Sequence, residues 1–123
     1  MRNANTWFEI PVTDLAAAQR FYERMLDRAM RGTEDVGGDI MAVFDHDKPG
    51  AGGCLVRREG HRPAEGGTVV YLDCEPGVQG ALDRAVAAGG QVVAPRTLIA
   101  PGIGYFALVR DPEGNVVGLH ALD

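Results

Sequence analysis

The 123-residue sequence predicts an α+β fold in which a strand, a helix and three strands occur twice. Two apolar helical stripes whose starts lie roughly sixty residues apart carry this prediction, together with the short β-rich stretches around each. The two copies share almost no sequence identity, so the repeat lies in the pattern. A ferredoxin-like α+β domain with added strands fits the same pattern.

Thr6 to Val12 is rich in aromatic and β-branched residues and reads as the first strand. Asp14 is an N-cap candidate, and Leu15, Ala18, Tyr22, Met25, Leu26 and Ala29 then share one helical face. Strands are expected around Arg28 to Val36, Asp39 to Phe44 and Gly53 to Arg58, separated by Gly37-Gly38 and by a turn over Asp45 to Gly50. Glu59 to Gly67 reads as a polar linker.

The pattern restarts with a strand over Thr68 to Cys74. Pro76 suits a first helical turn, Val78, Ala81, Leu82, Ala85 and Val86 form the apolar stripe, and Gly89-Gly90 ends it. Strands over Gln91 to Ala94, Gly104 to Val109 and Asn115 to Ala121 follow, the last two joined by Asp111-Pro112-Glu113-Gly114.

A chain of this length with 46% hydrophobic residues can bury one core, so a single domain over residues 1–123 is expected, with units at about 5–60 and 66–122. Seventeen acidic residues against twelve Lys and Arg give a net charge of −5, mixed in sign along the chain, which argues against nucleic-acid or anionic-membrane partners. Cys54 and Cys74 each sit in an apolar stretch and read as buried, reduced thiols. With no basic-then-apolar leader at Met1 and no apolar run near the ~20 residues of a membrane span, a cytoplasmic location is expected.

Phe8-Glu9-Ile10-Pro11-Val12-Thr13-Asp14-Leu15, followed by Phe21-Tyr22, resembles the opening of the vicinal-oxygen-chelate superfamily of glyoxalases, bleomycin-resistance proteins and ring-cleaving dioxygenases. Ala87-Ala88-Gly89-Gly90, Gly104 to Val109 and Asp111-Pro112-Glu113-Gly114-Asn115 match its second half in order and spacing, so the resemblance covers essentially the full chain. It implies two βαβββ modules forming a curled, half-barrel mixed sheet around a small-molecule cavity, commonly in a homodimer. Isomerases, dioxygenases, thiol transferases and drug-binding proteins share this fold, so function rests on the site.

The resemblance also implies four metal-ligand positions, one on the first and one on the last strand of each module, where His, Glu or Gln is expected. They fall on Trp7, on Val69, near Cys54 or Leu55, and on Gly118. No metal and no other cofactor is therefore expected. Strand alternation puts Glu9 on the face of Trp7 and His120 on the face of Gly118. If those faces line the cavity, Glu9 and His120 are candidate catalytic residues, a proton-transfer couple in an apolar setting. Competing readings make Glu9 a structural ion pair with an arginine such as Arg110, and His120 a rim or dimer contact.

Trp7, Tyr71, Tyr105 and Cys54 are candidate ligand-binding residues, Tyr105 following a flexible Gly102-Ile103-Gly104 entry. His46 and His61 read as solvated loop residues. Three functions stay open: a metal-independent binder of a small organic molecule, a lyase or isomerase of a small oxygenated or carbonyl compound using Glu9 and His120 or a relocated metal, and an interaction domain with a vestigial cavity.

Overall fold

The computed structural model describes residues 3–47 and 50–123. Lys48 and Pro49 of the expected Asp45 to Gly50 turn lie outside them, as do Met1 and Arg2. The first βαβββ unit comprises β1 (Trp7–Pro11), α1 (Leu15–Leu26), β2 (Thr33–Val36), β3 (Asp39–Val43) and β4 (Gly52–Arg57). The second comprises β5 (Tyr71–Asp73), α2 (Val78–Ala87), β6 (Gln91–Ala100), β7 (Gly104–Arg110) and β8 (Val116–Ala121).

Each unit forms a four-stranded mixed sheet, ordered β1-β4-β3-β2 and β5-β8-β7-β6. The first strand of each unit runs parallel to its last, and the other pairs are antiparallel. No closed barrel forms, and the architecture is the expected α+β one.

One core joins the two units. Val12, Phe21, Tyr22, Met25 and Leu55 of the first half pack in one buried cluster with Leu72, Val78, Leu82, Val109 and Leu119 of the second. The opposite face of the first sheet holds a separate buried cluster of Met41, Val43, Cys54 and Val56. At about 25 cal/mol per Å² of apolar surface, burial on this scale is what offsets chain entropy in a small protein.

Several element ends differ from the expectation. Asp14 does cap α1, accepting from the Ala17 N–H at 3.1 Å, but the helix stops at Leu26, short of Ala29. Asp27 takes a left-handed conformation there (φ 52°), its N–H turning back to Arg24, and the Glu23 carboxylate takes the Met30 N–H at 2.8 Å. The strand expected from Arg28 therefore begins only at Thr33. Pro76 lies ahead of α2, which opens after Gly77, and Val86 of the expected apolar stripe is half exposed. β6 runs to Ala100, well past Ala94, because three register shifts against β7 absorb Pro95 and its neighbours without ending the pairing.

Candidate functional site

Parallel pairing sets Trp7 beside Gly52 and Glu9 beside Cys54, so these side chains share the face turned away from α1. Arg58, just beyond β4, lies on the same face. Its guanidinium donates to both Glu9 oxygens, at 2.8 and 3.3 Å, and through Nε to Asp39 at 2.7 Å. This bond from Arg58 holds the Glu9 carboxyl below its ordinary pKa, against the opposing pull of burial. Arg110, the partner expected from sequence, instead bonds Gln91 and Glu65.

Cys54 is fully buried beneath this pair, and burial pushes its thiol up to about 12, with the nearby Glu9 charge adding to the effect. A protonated thiol with no exposed surface does not reach a ligand, which removes Cys54 from the expected lining. Cys74 is also free and buried, its thiol donating to the His120 carbonyl at 3.3 Å.

Both histidines read as solvated are partly buried instead. The His46 ring lies over Gly52, where an added Cβ would meet it at 2.6 Å, and its edge approaches Trp7 with ring centres 6.1 Å apart. His61 folds back through a bridge to Arg58, its N–H donating to the Arg58 carbonyl at 3.2 Å. Its ring Nδ1 is buried with no hydrogen-bond partner. The sequence signal that could have found it is the Glu59-Gly60 pair, a hairpin turn that returns His61 to the strand end.

A groove of about 480 Å³ runs along β1, lined by Trp7, Glu9, His61, Arg62, Thr68 and Val70 and reaching Asn115 to Val117 on the second unit. A wider depression of about 760 Å³ opens between the start of β4 and β5, where Phe8, Phe44, His46 and Arg28 face Tyr71 and Asp73.

On the second sheet, Tyr71 pairs with Gly118, and Phe106 with His120, on the face away from α2. A Cβ added to Gly118 would lie 2.3 Å from the Tyr71 ring, so that ring fills the space a side chain at position 118 would need. Tyr71 also meets Phe106 edge-on, with centres 6.4 Å apart. The His120 Nε2 lies 2.8 Å from the Ile103 carbonyl, and His120 lines neither depression. No hydrogen bond or ion pair joins it to Glu9.

Tyr105 falls on the other side of its sheet. It pairs with Ala121 and packs against the core, with the Arg96 guanidinium 3.6 Å above its ring. The structure thus brings Trp7 and Glu9 together, adds Arg58 and His61, and sets Tyr71, His120 and Tyr105 elsewhere.

The four positions that the resemblance assigned to metal ligands do not fit a metal. Trp7, Val69 and Gly118 offer no donor, and Cys54 or Leu55 at the fourth is fully buried. Among the described residues no three His, Cys, Asp or Glu side chains gather as a cation would require.

The profile of the Glyoxalase/Bleomycin resistance protein/Dioxygenase superfamily matches residues 6–119. No curated protein matches the sequence. Among solved structures, a glyoxalase/bleomycin resistance protein from Albidiferax ferrireducens T118 is similar at 18% identity and a TM-score of 0.72, over 95% of this chain and 98% of that one. A glyoxalase/bleomycin resistance protein from Streptomyces sp. CB03234 is similar at 22% identity and a TM-score of 0.66, over 95% and 99%. A glyoxalase I mutant from Zea mays gives 20% identity and a TM-score of 0.70, and this chain, 95% covered, spans only 45% of its length. With the profile spanning both βαβββ units, the chain belongs to the Glyoxalase/Bleomycin resistance protein/Dioxygenase superfamily.

Proposed function

We propose that this protein binds a small organic molecule without a metal, in the groove beside β1 lined by Trp7, Glu9 and His61. The observation that carries the metal-independent reading is the Tyr71 ring lying across Gly118, which leaves no room there for a ligating side chain. The groove supplies what an organic ligand needs: an exposed indole beside a carboxylate fixed by a guanidinium. Elemental analysis of protein purified without chelator, followed by zinc, nickel, manganese and iron titrations read by Trp7 fluorescence, tests this. Sub-stoichiometric metal and no saturable response are expected. A stoichiometric metal lost on Glu9→Ala or His61→Ala would replace this reading with a metalloprotein.

A lyase or isomerase using Glu9 and His120 as acid and base gains no support from this chain alone, since the two side chains have separate partners. We propose in addition that the chain pairs as a homodimer, a reading favoured by the exposed apolar residues Leu98, Ile99 and Ile103 of the second unit. Two free, buried thiols favour a reducing, cytoplasmic setting. No helix among the described residues is long and apolar enough to cross a membrane.

A further inference from the structure

We infer that the ligand of the β1 groove is a small organic carboxylate, its acid group held by Arg62 and its apolar part lying against Trp7. The inference rests on the reading of that groove as the ligand site and names the class of molecule it takes.

Two formal charges line the groove, Glu9 and Arg62. The Glu9 charge is matched by the bidentate contact from Arg58. Arg58 also serves Asp39, so this trio keeps one negative charge in excess, but Asp39 does not line the groove. Arg62 has no ion pair or hydrogen bond with any described residue and is the groove's one charge without a counter-ion.

His61 is its chain neighbour and lines the same groove. Its Nδ1 is buried and offers the groove no exposed donor, so the anion contact falls to Arg62. The guanidinium fork matches the two oxygens of one carboxylate, and a single unmatched cation calls for a monoanion. Trp7, 40% exposed at the mouth, provides the flat apolar surface for the rest of the molecule.

Trp7 is the chain's single tryptophan, so its emission reads the groove directly. The experiment titrates the full chain with benzoate, benzamide, benzylammonium and inorganic phosphate, the first three sharing one ring and differing in charge. Benzoate is expected to give a saturable change, with benzamide and phosphate at least roughly tenfold weaker and benzylammonium weakest. Arg62→Ala, an exposed substitution that leaves the fold in place by circular dichroism, is expected to weaken benzoate roughly tenfold, and Arg62→Lys to restore part of that loss.

Benzamide or benzylammonium binding as tightly as benzoate would overturn the carboxylate assignment while leaving the groove as a small-molecule site. Phosphate binding as tightly would reduce it to a general anion site and overturn the organic part. No saturable response to any probe would overturn the groove itself, and with it the function proposed above.

Discussion

At the scale of single residues, Glu9 gives the site an acid-sensitive joint. Arg58 lowers its carboxyl pKa below the ordinary 4.5, so its folded value lies under its unfolded one. The stabilisation from the pair is complete above about 4.5 and is lost as pH falls through the lowered folded value. Glu9→Gln is expected to flatten the acid limb of stability in that window, read as urea midpoints from neutral pH downward; an unchanged acid limb would show that the pair adds nothing to folding. Gly118 offers a second test. A methyl group there meets the Tyr71 ring, so Gly118→Ala is expected to destabilise by roughly 1–3 kcal/mol. Tyr71→Ala should absorb most of that loss in the double variant, and additive losses would mean that the ring does not fill the space. The shared face of Trp7 and Glu9 was legible because strand alternation is strict, whereas Cys54 joins it only through the register of β1 and β4. The partner of Glu9 was not, because Arg58 stands 49 residues away and reaches it only through the parallel register of β1 and β4. The side taken by Tyr105 was not legible for a similar reason: alternation fixes relative faces within β7, but only the pairing with Ala121 says which face meets α2.

At the scale of elements, the turn from Asp111 to Asn115 does more than join β7 to β8. The buried Asp111 carboxylate accepts from the Tyr22 hydroxyl at 2.7 Å, from the Glu113 and Asn115 N–H groups and from the Asn115 amide. Asn115 in turn donates to the Pro11 carbonyl at 2.7 Å and accepts from the Ala64 N–H, fastening the end of β1 and the linker to the second unit. Glu113 accepts from the backbone of Thr13 and Asp14 and from the Thr13 hydroxyl, so the entry to α1 is satisfied from the other half of the chain. Burial, then the Asp111 charge, raises the Tyr22 pKa well above its usual value, which keeps the hydroxyl a donor. Asp111→Ala strands these donors and is expected to cost roughly 2–4 kcal/mol, against about 1 kcal/mol for Glu113→Ala. Urea midpoints check the order, and equal losses would show that the turn acts only as a connection. The sequence announced the turn through Asp-Pro-Glu-Gly and the helix start through Asp14. It was silent on their bonding to each other, because contacts about a hundred residues apart leave no local periodicity. The type of each element and their succession along the chain were legible for the same reason in reverse, since they follow from local patterns repeated in both units.

At the scale of the whole molecule, the distribution of exposed apolar side chains is uneven. Val92, Val93, Leu98, Ile99, Ile103 and Leu122 are all more than two-fifths exposed and lie on or beside β6 and the end of β8. In the first unit, by contrast, Met41, Val43, Cys54 and Val56, on the sheet face turned away from α1, are buried within the chain. β6 is an edge strand bonded only to β7, and a long apolar edge of this kind is left open in solution only at the risk of pairing with another chain. Specific dimers bury about 1,200–2,000 Å² in total, and a cluster of this kind would supply the apolar centre of such an interface. Sedimentation velocity of the full chain is therefore expected to show a mass of two chains at micromolar concentration. Leu98→Lys with Ile99→Lys is expected to shift it to one chain while the circular dichroism spectrum and the Trp7 response to benzoate persist, since neither residue lines the β1 groove. A dimer that survives the double substitution would move the interface away from β6. A monomeric wild-type chain would leave the open edge to a different protein, and the interaction-domain reading would then gain the observation it lacks.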